Sequence, residues 1–499
     1  MKLMCCSDPC GAGKTKHMIE RIARQPGKYV VAVDRRNLMD ERKRSIEAEA
    51  AQVGADPTVL LICSKERGED EQVAYNVQAN VRRQIAAAPE DFASLEHVIL
   101  IVTHEGLKQS DLRKFSGWTL FIDEVPVVWD SATLTTPSLS ANFAANYRLI
   151  PTEDTNWRRV EARVDAITTA DLTHDDVMAS FALFHKRVTG QGVFTDLSDW
   201  KDMADRNQSW TWWSLWSPLE LSAFDAVFIL GNSFFESITY RLWRERFGDE
   251  VTFEPFTVAR NAVPSKPKTV AIRYAARHVA GTYFWTKSAP DGGQSGAECV
   301  TAWGRWIAAS TDENHLWTCN NALKPMLAHV GIKGHQVTPK IAGSNAYRTI
   351  TTCSVIYSAK SNPKESKVLS LLGITPEWVQ RAREFEDLIQ FVLRTALRDP
   401  DYEGTVTVNV YDKTQADFLA AYLAKVFGFT VTTEYVDIGI GEVAKPSRGR
   451  GPVHATDAER RAHRQAANRE AQQKRRAAAR KEAEVTGTRR PRGRPKKTA

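Results

Sequence analysis

The sequence predicts an α/β protein of two lobes, each built on a parallel sheet, with a disordered basic tail at the C-terminus. Three observations support this prediction. Apolar runs alternate with helical patterns in the first part of the 499-residue chain, and the alternation resumes after a Pro- and Lys-rich stretch at 262–268. Continuous apolar strands between helices are typical of parallel sheets covered on both faces. From residue 445 onward Gly, Ala, Arg and Gln dominate, and such a composition predicts disorder.

The first lobe, residues 1–260, begins with an apolar strand at 3–6, a glycine-rich loop and an amphipathic helix. Further strands are predicted at 29–33, 97–102, 119–122 and 226–230, and helices at 38–51 and 70–88. Residues 131–215 lack this alternation but contain a helix-like stretch at 175–188. We interpret 131–215 as an insertion or subdomain in or after the first lobe.

The second lobe, residues 265–440, repeats the strand and helix pattern. Strands are predicted at 269–274, 315–319, 352–357 and 405–411. Helices are predicted at 297–309, 322–330, 376–398 and 413–426. At 499 residues the chain is long enough to bury more than one core.

Residues 7–15, Ser-Asp-Pro-Cys-Gly-Ala-Gly-Lys-Thr, form a candidate phosphate-binding loop. Gly11, Ala12 and Gly13 can direct backbone N–H groups at a phosphate chain where the helix dipole also favours negative charge. Lys14 can reach the outer phosphates, and the Thr15 hydroxyl can ligate Mg²⁺. The full pattern has a glycine where this chain has Asp8, and the alternative is an ordinary glycine turn before a helix. The strand and helix context favours binding of a nucleoside triphosphate.

A second candidate site follows the strand at 119–122, where two adjacent carboxylates, Asp123 and Glu124, lie at its C-terminal end. Ligands bind at this edge of open α/β sheets. Asp123 is predicted to hold Mg²⁺ and Glu124 to orient or deprotonate the water that attacks the γ-phosphate. An exposed turn is the alternative, but the position of the pair, 109 residues after Lys14, favours hydrolysis of ATP or GTP.

The segments Gly-Ala-Gly-Lys-Thr at 11–15 and Asp-Glu-Val-Pro at 123–126 together resemble motifs I and II of the superfamily 2, DEAD-like helicases. The variants of bacteriophages and large DNA viruses are the most similar. The resemblance implies two RecA-like lobes that use ATP and Mg²⁺ to move on or unwind DNA, in viral DNA replication or recombination. It also implies single-stranded DNA as a partner of the lobes, with replication proteins as candidate partners.

Other segments follow the family's motif order across residues 1–435. At the place of motif III, the family's Ser-Ala-Thr is Gly231-Asn232-Ser233 here. The remaining segments are similar to motif Ia (31–38), the following Thr-containing motif (103–107), motif IV (316–320), motif V (343–345 with Tyr347 and Arg348) and motif VI (390–398). The motif VI segment lacks the family's glycine and spaces its arginines by four residues instead of three.

Gln390, Arg394 and Arg398 are spaced four apart, so a helix would place all three on one face. Guanidinium groups from the second lobe could then complete a catalytic site on the first lobe when the cleft closes. Such arginine fingers accelerate turnover by about 10³- to 10⁵-fold in known NTPases. The alternative is a solvated helix face that pairs with Glu384, Glu386 or Asp387.

The charge is uneven along the chain. Residues 445–499 have a net charge of +13, whereas the other 444 residues have a net charge of −6. The end of the tail resembles an AT-hook, with its core at Arg492, Gly493, Arg494 and Pro495. Such a segment enters the narrow minor groove of A·T-rich duplex DNA. A solubilising tail or a nuclear-import signal is the alternative.

Cysteine and tryptophan positions carry weaker signals. Seven scattered cysteines show no zinc spacing and are predicted to be free thiols, and Cys10 within the loop is a candidate for sensitivity to thiol reagents. Trp210, Trp212, Trp213 and Trp216 could stack on bases, but core packing is favoured. The loop begins within ten residues of Met1, and no apolar stretch could span a bilayer. We therefore expect a cytoplasmic protein with no membrane partner; a nuclear location is the alternative.

The preferred interpretation is an ATP hydrolase of the DNA helicase or translocase type. The second hypothesis is an origin- or genome-binding ATPase that remodels DNA or protein without processive unwinding. A packaging motor or a small-molecule kinase is disfavoured, because no nuclease-like acidic cluster follows the ATPase and a kinase needs neither a second lobe nor a DNA-binding tail.

Overall fold

The chain forms two parallel sheets and one antiparallel sheet in a computed structural model. The structure describes residues 1–63, 77–134, 145–168, 182–190, 192–200, 210–258, 266–279, 281–286, 295–339 and 346–441. Among these residues, none of the helices is both long enough and apolar enough to cross a membrane.

The first sheet has seven parallel strands in the order β12-β1-β11-β5-β2-β4-β3. All the strands predicted in this lobe are present, whereas β3 and β12 were not predicted. The strands are β1 Lys2–Cys6, β2 Lys28–Val33, β3 Thr58–Ile62, β4 Val98–Thr103, β5 Trp118–Asp123, β11 Ala226–Leu230 and β12 Thr252–Phe256.

Alternate residues of these strands enter two separate cores, one on each face of the sheet. Val30 and Leu100 belong to one apolar cluster, and their neighbours Val31 and Ile99 belong to the other. Burial on both faces explains why the strands are continuously apolar. The covering helices are α1 Lys14–Arg24, α2 Arg36–Val53, α3 Val77–Asp91, α4 His104–Gln109 and α6 Ile238–Phe247. The predicted helix at 70–88 is confirmed from residue 77; residues 70–76 lie outside the described part.

The insertion contains a five-stranded antiparallel sheet in the order β6-β10-β9-β8-β7. The chain leaves the first lobe along β6 and returns along β10, and the two strands pair over their full length. Because β6 and β10 are paired neighbours, the insertion is connected to the first lobe at one place. Its elements are β6 Trp129–Leu134, β7 Tyr147–Pro151, β8 Trp157–Ala162, helix α5 Ala182–Thr189, β9 Val193–Asp196 and β10 Trp210–Leu215. Of the helix-like stretch at 175–188, the structure describes only the part from residue 182 onward.

The second lobe has a six-stranded parallel sheet in the order β15-β14-β16-β17-β13-β18. The predicted strands are present, and β15 and β18 were not predicted. The strands are β13 Lys268–Ala276, β14 His315–Cys319, β15 His335–Gln336, β16 Thr352–Ile356, β17 Gly404–Asp412 and β18 Thr430–Tyr435. The helices are α7 Thr282–Thr286, α8 Gly296–Ser310, α9 Lys324–Leu327, α10 Pro363–Leu371, α11 Pro376–Gln380, α12 Glu386–Val392 and α13 Lys413–Phe427.

Two predicted helices of this lobe are shorter than expected. A 3₁₀ turn at Asn321–Leu323 and the single turn α9 replace the helix predicted at 322–330. The helix predicted at 376–398 ends at Val392, after a π-helical turn at Arg381–Phe385. Beyond it, the Ala396 N–H donates to the Ile350 carbonyl (2.9 Å), so tertiary hydrogen bonding replaces helical bonding there.

A helical segment of the second lobe packs into the core of the first. We call residues 363–380, which contain α10 and α11, the strap. Val368, Leu369, Leu372, Ile374 and Val379 of the strap are buried in the same apolar cluster as first-lobe and insertion residues. The Arg241 guanidinium also lies 3.3 Å from the centre of the Trp378 ring. Apolar packing therefore joins the two lobes on one side of the cleft.

Candidate functional site

The glycine-rich loop lies between β1 and α1, at the carboxyl edge of the first sheet. Gly11 (φ +84°) and Gly13 (φ +89°) have left-handed backbone conformations that favour glycine. The Lys14 Nζ donates to the carbonyls of Asp8 (2.5 Å) and Pro9 (2.9 Å), so its ammonium group lies over the loop. This strand–loop–helix geometry is the one the sequence predicts.

Asp8 has a structural reason to replace the expected glycine. Its Oδ2 accepts the backbone N–H of Val258 (2.8 Å), just beyond β12, and the Cys6 thiol donates to the same oxygen (3.3 Å). The carboxylate thus joins the loop to a neighbouring segment of the first lobe.

The two predicted metal-binding groups meet at the end of β5. The Thr15 hydroxyl donates to Asp123 Oδ1 at 3.0 Å, although the two residues are 108 positions apart. Asp123 is almost fully buried, and its Oδ2 accepts a hydrogen bond from the Nε of Arg42 at 2.9 Å. The sequence did not point to Arg42, because its role depends on how α2 packs beside β5.

Glu124 begins the turn after β5 with φ +76°, a backbone conformation that residues other than glycine rarely adopt. Its N–H donates to the Leu230 carbonyl (3.3 Å), which fixes this turn against β11. Burial and then the charge of Asp123 raise the pKa of Glu124, and the cations Lys14 and Arg394 oppose the shift. Strain at a non-glycine residue is common in functional sites.

Arg394 and Arg398 of the second lobe lie within electrostatic reach of this site. Burial lowers the pKa of both, while Cys10 and Glu124 raise them from across the cleft; Arg394 in turn lowers the pKa of Arg398. Arg394 is only 6% exposed. Within the described part of the chain, neither guanidinium group forms a hydrogen bond or an ion pair. One buried and one half-buried cation, neither with a side-chain partner among the described residues, are suited to an anion between the lobes.

The expectation that Gln390 shares a helix face with the two arginines is wrong. Gln390 lies in α12, whereas Arg394 follows the end of that helix and Arg398 ends a 3₁₀ turn. The Gln390 amide donates to Glu386 Oε1 at 2.9 Å, so its partner is a carboxylate.

Glu386 connects the two lobes. Besides the bond from Gln390, it accepts the Asn232 amide of the first lobe at both oxygens, at 2.7 and 2.9 Å. Asn232 belongs to the segment at the place of motif III, and the neighbouring Gly231 allows a close approach to Val125. The departure from Ser-Ala-Thr therefore supplies an amide that reaches the second lobe.

We expect the stability of the protein to depend on pH through Glu386. Burial raises its pKa to about 7, although the bonds from Asn232 and Gln390 oppose the shift. Folding then takes up a proton between about pH 4.5 and 7, so stability present at low pH is lost as pH rises through that window. Thermal unfolding of wild type and Glu386→Gln measures this dependence. As pH rises from 5 to 8, the free energy of unfolding of wild type should fall by about 2–3 kcal/mol relative to that of the variant. A difference in unfolding free energy that does not change with pH contradicts the prediction. Glu236→Gln at the cleft edge is the control, and its stability should vary with pH as that of wild type does.

Cys10 is less reactive than the sequence suggested. Burial raises its pKa to about 12, and the neighbouring carboxylates of Glu386 and Glu124 act in the same direction. The thiol packs beside the core of the second lobe. A thiolate is therefore disfavoured in this arrangement.

Three further predictions concern the tryptophan cluster, the segment similar to motif V and the basic tail. The four tryptophans at 210, 212, 213 and 216 are buried, which confirms core packing over base stacking. Of the motif V segment, the structure describes Tyr347 and Arg348, whereas residues 343–345 lie outside the described residues. The tail, including Arg492, Gly493, Arg494 and Pro495, also lies outside them.

Two cavities lie near the candidate site. One, of about 410 Å³, separates the lobes and is lined by Glu124, Asn232, Glu386 and Gln390. The other, of about 270 Å³, lies on the first lobe and is lined by Arg35, Arg36, Arg82 and Thr103. Residues of the segments similar to motif Ia and the next motif thus form one surface.

Comparisons with known proteins give distant structural similarities. No family model and no curated protein matches the chain. Similar solved structures include an XPD helicase, with 11% identity and a TM-score of 0.48 over 87% of this chain and 96% of that one. Xpd4 of S. tokodaii has 9% identity and a TM-score of 0.45 over 87% and 96%. Dbp5 of S. cerevisiae, bound to RNA and ADP with BeF3, has 9% identity and a TM-score of 0.39 over 88% and 86%. Similarities this distant transfer no activity or residue role to this chain.

Proposed function

We propose that this chain is an ATP-dependent motor of the superfamily 2 helicase type, which hydrolyses ATP with Mg²⁺ to move on or unwind DNA. One observation carries the proposal: a phosphate loop and two carboxylates on the first lobe lie within electrostatic reach of two second-lobe arginines that have no side-chain partner in the described part of the chain. A triphosphate held at this seam would contact both lobes, so its cleavage would change how they are held together.

The chain's own residues have distinct roles in this proposal. Backbone N–H groups of Gly11, Ala12 and Gly13 bind the phosphates together with Lys14. Glu124 orients and deprotonates the attacking water. Arg394 neutralises charge that develops on the γ-phosphate, and Arg398 supports it. Gln390 acts indirectly, through its hydrogen bond to Glu386.

The residues also fit the metal that such a reaction needs. Thr15 and Asp123 present hydroxyl and carboxylate oxygens 3.0 Å apart, and such oxygen donors suit Mg²⁺. The ion would supply charge neutralisation on the phosphates. Thr15 and Asp123 would hold it, directly or through water.

Contacts across the cleft provide a means of coupling. Asn232 and Glu386 join the lobes beside the site, and Arg381 pairs with Glu236 at its exposed edge (2.7 Å). Closure on a nucleotide must rearrange such contacts while the strap remains packed. The first-lobe cavity is lined by three arginines and by the carboxylates of Asp34 and Glu105, and its excess positive charge would suit a single-stranded DNA backbone.

We further propose that the basic tail binds A·T-rich duplex DNA. Deleting residues 445–499 removes 18 Lys and Arg side chains, so duplex affinity should fall and its salt dependence should flatten. Fluorescence anisotropy with an A·T-rich hairpin at several salt concentrations measures both quantities. ATPase activity without DNA serves as the control and should be retained. Unchanged affinity and salt slope would contradict the proposal.

The second candidate is an ATPase that remodels DNA or protein at an origin without processive unwinding. The basic tail favours this second candidate, because a segment that binds duplex DNA would hold the protein at one DNA site. Strand displacement on a forked duplex, compared with stimulation of ATPase by blunt duplex, separates the two. Displacement that requires ATP supports the motor, whereas stimulation by blunt duplex without displacement supports the remodelling ATPase. We place either activity in viral DNA replication or recombination.

A further inference from the structure

Arg42 is a buried arginine that contacts the carboxylate at the centre of the site. It lies in α2, is 7% exposed, and donates from Nε to Asp123 Oδ2 at 2.9 Å. Its Nη1 donates to Glu41 Oε1 at 3.1 Å. An arginine stays protonated in proteins, and this one is held by two carboxylates.

Asp123 is held from three directions. Thr15 bonds Oδ1 at 3.0 Å, Arg42 bonds Oδ2 at 2.9 Å, and the His104 ring nitrogen Nε2 lies 3.1 Å from the backbone carbonyl. The two side-chain bonds act on different carboxylate oxygens, so together they fix the plane of the carboxylate. Because Arg42 occupies Oδ2, Oδ1 is the oxygen oriented toward Thr15.

We propose that Arg42 is a positioning residue for the Mg²⁺ site, which orients the Asp123 carboxylate so that Oδ1 and the Thr15 hydroxyl are presented together. This inference rests on the proposed function, because it assumes that Asp123 and Thr15 hold the ion. Partners that orient a metal-binding group typically change metal affinity or activity by about 10- to 100-fold when they are removed.

The plain alternative is that Arg42 only neutralises a buried negative charge. A lysine would serve that purpose, since it supplies one positive charge near Asp123. The geometry argues for more than charge, because one planar guanidinium group bonds Asp123 and Glu41 from different nitrogens. A flexible ammonium group does not reproduce that fixed arrangement.

Arg42 also lies close to the second-lobe arginine. Apart from burial, which lowers the pKa of Arg394, the charges that act on Arg394 include Glu41 and Arg42. Glu41 and Arg42 are therefore within electrostatic reach of Arg394. An arginine there is near the metal-binding carboxylate and within electrostatic reach of the opposite lobe.

The test measures Mg²⁺-dependent binding of a fluorescent, non-hydrolysable ATP analogue to the full chain. Mg²⁺ is titrated into wild type, Arg42→Lys and Arg42→Met, and binding in excess EDTA reports whether the nucleotide site is folded. The matched control is Arg24→Met, which removes another inter-helix arginine–glutamate pair, Arg24–Glu49 (2.7 Å), away from the site. Thermal unfolding of each variant is measured in parallel.

We expect the apparent Mg²⁺ affinity to fall by about 10- to 100-fold in both Arg42 variants, with binding in EDTA and the Arg24→Met control unchanged. On an Asp123→Asn background, Arg42→Met should have no further effect. Wild-type affinity in Arg42→Lys, or tighter Mg²⁺ binding in Arg42→Met, would overturn the inference while leaving the proposed function in place. If Arg42→Met does not fold, Arg42→Lys decides the question. No Mg²⁺ dependence in wild type would instead contradict the proposed function itself.

Discussion

Replacing Arg394 with alanine should lower kcat for ATP hydrolysis by about 10³- to 10⁵-fold, while the Kd for nucleotide changes little. The expectation follows from the position of Arg394. It is buried in the second lobe, lacks a side-chain partner among the described residues, and interacts electrostatically with Glu124 of the first. A cation in that position stabilises charge that develops in the transition state, so its loss affects turnover more than binding.

Steady-state ATPase assays and equilibrium binding of a fluorescent nucleotide measure the two effects separately. Arg383→Ala is a matched control, because Arg383 lies in the same region of the second lobe but already pairs with Glu365 (2.7 Å). It should leave kcat within a few-fold of wild type. A weaker nucleotide affinity with an unchanged kcat in Arg394→Ala would mean that Arg394 acts only in binding.

Replacing Glu124 with glutamine should lower kcat by about 10²- to 10⁴-fold, the range for loss of a general base. Glutamine keeps the size of the side chain and loses the proton acceptor. The turn that Glu124 begins is fixed by a backbone bond to Leu230, and this bond does not depend on the carboxylate. Nucleotide should therefore still bind, and ATP should remain uncleaved on the protein.

Single-turnover hydrolysis and retention of labelled ATP after gel filtration measure this trapping. Glu254→Gln is the control, because Glu254 pairs with Lys2 (2.8 Å) on the same sheet without taking part in the site. It should hydrolyse ATP at the wild-type rate. Turnover near wild type in Glu124→Gln would remove Glu124 from the proposed chemistry.

The part of the site that depends on local patterns was predictable from the sequence. Residues 11–15 and the Asp123–Glu124 pair each follow an apolar strand, and parallel strands place their carboxyl ends at one edge. The rule therefore predicts that Thr15 and Asp123 lie close together, and the Thr15 hydroxyl is 3.0 Å from Asp123 Oδ1. The two-lobed parallel architecture followed from the same runs, because strands buried on both faces are continuously apolar.

The part that depends on tertiary packing was not predictable. In the sequence, Arg42 belongs to a charged helix face like many solvent-exposed ones. Only the packing of α2 brings it to Asp123. Glu386 was expected only as a surface partner for arginines, yet it receives Asn232 from the other lobe. β3 and β12 were missed although they are as long as the predicted strands β1 and β11. The end of α12 at Val392 was missed because tertiary bonds, rather than proline or glycine, end the helix.

In the proposed motor, both lobes act on one nucleotide and nucleic acid modulates this action. The most direct measurement is the ATPase rate of the full chain with Mg²⁺, compared without nucleic acid and with single-stranded DNA, duplex DNA and RNA. We expect hydrolysis that depends on Mg²⁺ and is stimulated most by single-stranded DNA. An absence of hydrolysis under all four conditions, with nucleotide still bound, would contradict the account.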